Sequence, residues 1–278
     1  MPRFYTPKLP VTQVRIDLIS DLYSPQLSNT RTLHVFLPPN YARQSRTRYK
    51  VLLMNDGQDW KALCLKETLE HLYAADRIEP LVVVAIPTNS NRLNEYGTAY
   101  PLDYRGRGAQ AAAYTQFITD TVLPLIHSHY RTRVGAANTT FLGASLGGLS
   151  AFDIAWHHPQ HIGTVGVFSG SFWWRTHSAT VLMRTTSRIA HQIVRQSPKR
   201  PGMRFWFQAG TLDEKDDRDH NSVIDSIQDT TELIDELALK GYKRDKELVY
   251  VQIEGGQHHP STWASVLDQF LLFAFGKM

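Results

Sequence analysis

The clearest chemistry in the chain lies at Gly143-Ala144-Ser145-Leu146-Gly147-Gly148. A strand-like run, Thr139–Leu142, precedes this string, and an apolar run with helical spacing, Leu146–His157, follows it. Gly-x-Ser-x-Gly between a strand and a helix is the pattern of a nucleophile elbow. The turn is so sharp that its neighbours must be tiny, which Gly143 and Gly147 satisfy, while Gly148 lets the helix approach the sheet. The Ser145 hydroxyl would then stand at the carboxyl end of a strand and the amino end of a helix, where developing negative charge is favoured.

A serine hydroxyl is a poor nucleophile near neutral pH and needs a base, which a carboxylate must orient. After an elbow of this kind the acid and then the histidine follow along the chain. Two loops fit. Ala209-Gly210-Thr211-Leu212-Asp213-Glu214 follows a strand-like run and offers Asp213, with Glu214 as its rival. Glu254-Gly255-Gly256-Gln257-His258-His259 follows another and offers His258 or its neighbour His259. An oxyanion hole needs two backbone amides. One belongs to Leu146; the other is expected from the loop after the third strand, at Gln58 in Asn55-Asp56-Gly57-Gln58.

The elements that must position these groups recur along the chain. Val14–Ile19, Thr32–Leu37 and Val51–Met54 read as strands, Lys61–Ala75 as a helix, and Leu81–Ile86 as a strand buried on both faces. Gln110–Tyr130 reads as a helix disturbed by Pro124. Then come strand Gly163–Phe168, helix His177–Arg195, strand Arg204–Gln208, helix Ser222–Lys240, strand Leu248–Ile253 and helix Ser261–Phe275. This predicts an α/β fold: residues 1–278 as a single domain with a mostly parallel sheet of about eight strands flanked by helices.

Composition removes several classes. Of 278 residues, 42% are hydrophobic and 20% charged, which argues against intrinsic disorder. Thirty Lys plus Arg against 26 Asp plus Glu give a formal charge of +4, with no basic run that would demand nucleic acid. The single cysteine, Cys64, excludes an internal disulfide and a Cys-built zinc site. The longest apolar runs fall far short of the roughly 20 residues that span a bilayer, so no membrane partner is expected. The N-terminus, MPRFYTPKLP, is polar and proline-broken, unlike a signal peptide, and a cytoplasmic location is expected.

Taken with Asp56-Gly57-Gln58, Arg92 with Glu95-Tyr96, Ser169-Gly170-Ser171-Phe172-Trp173-Trp174, and His258 followed by Trp263, these motifs resemble the esterase D-like group of α/β-hydrolases, especially the enterochelin esterases. The likeness runs from about Thr30 to the C-terminus. It implies the α/β-hydrolase fold, hydrolysis of a small-molecule carboxylic ester through an acyl-enzyme, and no metal or organic cofactor. It also implies that the acid stands at Asp213 and that the histidine followed by Trp263, His258, is the base. The same machinery would serve acyl transfer to an alcohol, or persist in a catalytically silent binding module.

Three further signals bear on the site. Trp173 and Trp174 are candidate walls of the substrate pocket, or packing beneath it. Arg92 is a candidate partner for an anionic acyl group, or for Glu95. Asp217-Arg218-Asp219-His220-Asn221 begins like a calcium loop, but Ser222 and Gln228 stand where glycine and a closing glutamate belong, so a solvated acidic loop is expected instead.

Overall fold

The computed structural model describes residues 13–42 and 46–277; the N-terminal segment Met1–Pro10 read above lies outside them. The apolar runs become eight strands: β1 (Arg15–Ser24), β2 (Asn29–Leu37), β3 (Lys50–Asn55), β4 (Leu81–Ile86), β5 (Thr139–Ala144), β6 (Thr164–Phe168), β7 (Arg204–Leu212) and β8 (Leu248–Gln257). They form one sheet in the order β1-β2-β4-β3-β5-β6-β7-β8. β1 and β2 pair antiparallel, as do β2 and β4; every later pair is parallel.

The central strands read as unbroken apolar runs because each of their faces meets a separate core. Val51, Leu53, Val82, Val84, Phe141, Val165 and Phe207 point into one. Leu52, Met54, Val83, Leu142, Phe168 and Trp206 point into the other. Period-two alternation within a strand, with both faces covered by helices, demands this pattern.

Three predicted helices depart from expectation. Ala111–His129 is helical throughout but widens to π geometry over Phe117–Val122, beside the proline whose missing amide cannot join the ladder. The run predicted over His177–Arg195 is two helices, Val181–Thr186 and Ile189–Gln196. The chain is extended at Arg188, which bridges Arg175, while its guanidinium reaches Asp229 Oδ1 at 2.5 Å and also pairs with Glu232. A tertiary ion pair thus overrides local helical spacing. The last helix also divides, into Pro260–Ala264 and Leu267–Phe275.

Candidate active site

The elbow forms where β5 meets the helix Leu146–His157. Ser145 sits at φ 56°, ψ −127°, a backbone region that L-residues rarely occupy, and its amide donates to Phe168 O at 2.8 Å. Its neighbours leave no room for side chains: a Cβ on Gly143 would lie 2.1 Å from Gly147 O, and one on Gly148 would lie 2.7 Å from Val167 of β6. Asn55 fastens the turn by donating to Gly147 O at 2.8 Å, and Tyr114 in turn donates to Asn55 Oδ1 at 2.6 Å. The Leu146 amide opens the helix, so it has no intrahelical acceptor.

Gln58 lies in a 3-10 turn, Gly57–Trp60, at the end of β3. A Cβ on Gly57 would lie 2.3 Å from Ile86 N, so the loop lies directly on the β4 backbone. Asp56 enters the turn in the left-handed region at φ 52°. Its amide donates to the Tyr96 hydroxyl at 3.0 Å, and its carboxylate accepts both Arg92 Nε at 2.8 Å and Arg92 Nη2 at 2.7 Å. The Gln58 side chain accepts from the Thr88 amide at 3.0 Å, leaving its own backbone amide as one of the unpaired first amides of the turn.

Asp213 follows β7 and is tied by one oxygen, Oδ2, which accepts the Gly210 amide at 3.0 Å. Burial pushes its carboxyl above the ordinary range, while the Gly210 amide, the Ser169 hydroxyl and the charge of His258 pull it back. Ser169 also accepts Trp263 Nε1–H at 2.9 Å, and Trp263 meets the His258 ring edge-on with centroids 5.4 Å apart. One tryptophan therefore packs the His258 imidazole and anchors Ser169, whose hydroxyl lowers the Asp213 pKa. Burial lowers the His258 pKa; Asp213 raises it and Arg92 lowers it further. Desolvation here favours the neutral form of both partners. No hydrogen bond among the described residues joins Ser145 to His258 or His258 to Asp213; the Ser145 hydroxyl instead lies 3.4 Å from that of Ser171. Catalytic hydrogen bonds in a ligand-free site are often long and tighten around substrate.

The rivals have other occupations. His259 caps the helix Pro260–Ala264, accepting the Ser261 amide at 3.2 Å. Glu214 turns away into a second pocket, where burial raises its pKa to about 7, helped by Asp225, Asp229 and Asp216. The acidic loop is closed from within: Asp217 accepts the amides of Asn221 and Ser222 at 3.1 and 2.9 Å, and Arg218 is buried against Asp225 and Asp229.

Beside the elbow lies a cavity of about 120 Å³, apolar at its base with Met54, Leu63, Leu142, Phe168 and Trp263, and rimmed by Gln58, Asp59 and Arg92. Arg92 stands at the site but with two donors committed to Asp56; Glu95 pairs with Arg31 in the core instead. Trp173 is half-buried and lines the second pocket. Trp174 is a correction: it is fully buried, and a Cβ on Gly97 would strike its ring, so it backs the wall and does not form it. Arg107 lies over both indoles, 4.9 and 4.8 Å from their centroids. Asn55, Tyr96 and Ser169 all fall within the motifs read from the sequence, but their parts in fastening the elbow, the Asp56 turn and Trp263 are not foreseen there.

A strained serine on a strand-to-helix turn at the carboxyl end of a parallel strand, in a mostly parallel sheet, defines the class: a hydrolase of the α/β-hydrolase fold. Residues 24–274 match the family described as "Putative esterase", and the chain belongs to that family, the carboxylic ester hydrolases. It is 24% identical over 259 residues to an uncharacterized protein, YbbA, of Bacillus subtilis, covering 90% of this chain and 94% of that one. A solved ferulic acid esterase superposes with a TM-score of 0.72 at 20% identity, over 95% of this chain and 98% of that one. The enterochelin esterase of Shigella flexneri gives 0.72 at 20% identity over 97% of this chain, which spans 60% of that larger protein.

Proposed function

We propose that this protein is a serine esterase in which Ser145, His258 and Asp213 act as nucleophile, base and orienting acid. His258 takes the proton as the Ser145 hydroxyl attacks the ester carbonyl. The amides of Leu146 and Gln58 hold the oxyanion. His258 then protonates the leaving alkoxide and activates the water that releases the acid. What supports this reading most is the strained elbow of Ser145, alongside the helix-start amides of the Gln58 turn and a His258 that feels the charge of Asp213.

The substrate is a small carboxylic ester. The apolar cavity beside the elbow suits a compact acyl or aryl group, and its rim places Arg92, Asp59 and Gln58 over it. The test is turnover of a short 4-nitrophenyl ester by the protein and by Ser145→Ala. The variant is expected to lose at least about a thousandfold in rate. Equal rates would end the mechanism. A panel including a catecholate trilactone and a feruloyl ester, assayed with and without added alcohol, then fixes the substrate and separates hydrolysis from acyl transfer.

A further inference from the structure

A second pocket, about 230 Å³, opens on the β6–β7 side of the elbow, lined by Tyr104, Trp173, Arg175, Arg184, Glu214 and Asp225 among others. It lies close to the reacting serine along the chain. Trp173 is two residues past Ser171, whose hydroxyl is 3.4 Å from that of Ser145, and Glu214 directly follows Asp213. Two residues of chain span at most about 7 Å.

The feature that singles it out is Arg175. The residue is only 7% exposed, yet its guanidinium has no carboxylate within ion-pair distance among the described residues; Nε donates to Trp173 O at 2.5 Å, and the residue lines the pocket. Burying an unpaired charge is costly, so nearly all buried cations are matched. The nearby carboxylates make their direct contacts elsewhere, so Arg175 feels Asp229 and Asp225 only across a gap. Asp229 and Glu232 hold Arg188, and Asp225 and Asp229 hold Arg218. Arg184, half-buried on the helix Val181–Thr186, also lacks an ion pair and lines the same pocket. The strap carrying both is fixed: Arg175 bridges Arg188, and Thr180 caps the short helix by accepting the Met183 amide at 3.1 Å. Of the acids that line the pocket, Asp225 pairs with Arg218, Glu214 has its pKa raised by burial to about 7 and so carries only about half its charge at neutral pH, and Asp216 stands at the exposed rim.

We propose that this pocket is a carboxylate subsite of the esterase, in which Arg175 and Arg184 receive an ionised acid group borne by the substrate away from its scissile ester. A guanidinium presents paired N–H donors matched to a carboxylate, and a half-buried site strengthens the contact. The inference rests on the esterase reading for its kinetic arm but not for its binding arm.

The kinetic arm compares 4-nitrophenyl hemiesters of succinic to pimelic acid with their methyl-capped counterparts, and acetyl esters of carboxylated with uncarboxylated phenols. At least one anionic member is expected to exceed its neutral partner in kcat/KM. Arg175→Gln should reduce that preference by about tenfold or more, chiefly through KM, and Arg184→Gln, the more exposed variant, by a smaller factor. No preference in either series, or a preference that both variants keep, overturns the subsite. The binding arm titrates Ser145→Ala with glutarate and with inorganic phosphate by calorimetry. Glutarate binding that Arg175→Gln and Arg184→Gln weaken supports the proposal; absence of glutarate binding, or phosphate binding more tightly than every dicarboxylate tested, overturns it. Failure of all ester turnover with glutarate binding intact would sink the esterase reading and leave the anion site standing.

Discussion

The two flanks of the elbow treat their arginines in opposite ways. On the β3–β4 side two guanidiniums are matched: buried Arg31 to Glu95, and half-buried Arg92 in a fork to Asp56. On the β6–β7 side Arg188 and Arg218 share Asp229, and buried Arg175 has no ion pair among the described residues. The first arrangement builds a fixed wall: the Arg92–Asp56 fork and the Tyr96 hydroxyl set the turn that presents the Gln58 amide. The second supports a vacancy, because the carboxylates in contact with Arg188 and Arg218 reach Arg175 only across a gap and leave its guanidinium without a contacting acid. Ion pairs on one side shape the machinery, and on the other they decide what stays open to a ligand.

The largest expected break in this contrast is Asp229→Asn, which removes the charge shared by two buried arginines. It should cost about 3–5 kcal/mol of stability, read by urea unfolding. A loss below about 1 kcal/mol would show that the β6–β7 flank is not held by this pairing. Arg92→Gln probes the other flank. Loosening the Asp56 turn should lower kcat/KM between about tenfold and a hundredfold, as small misplacements do. It also removes a positive charge that depresses the His258 pKa. The base works unprotonated, so the acid limb of kcat/KM lies below the ordinary histidine value in the parent protein and should move to higher pH in the variant. An unmoved limb would take Arg92 out of the electrostatics of the site. The smallest effect is expected at His259→Ala, which should keep activity within about twofold and lose about 1 kcal/mol or less of helix capping. A large rate loss there would reopen the choice of base.

How much of this the sequence discloses depends on whether the cause is local. The β4 bounds Leu81–Ile86 and the elbow helix Leu146–His157 are legible to the residue, since a doubly covered strand and a Gly-Gly helix start write themselves into composition. The break at Arg188 is not, because its cause is Asp229 some 41 residues away. Trp173 and Trp174 look alike in sequence; only the fold sends one to a pocket and the other to the core. Arg175 could not be singled out at all, for being unmatched is a property of where other side chains go.

The backbone of Ser145 has a consequence for heat resistance. A side chain at that φ and ψ is strained by about 1–3 kcal/mol, and glycine would escape most of it, less its own entropic penalty of roughly 0.5–1 kcal/mol. Ser145→Gly should therefore abolish turnover yet melt a few degrees later in a thermal scan. The hydroxyl is kept in place against the thermodynamic preference of its own main chain, and a descendant released from chemistry would grow sturdier by discarding it.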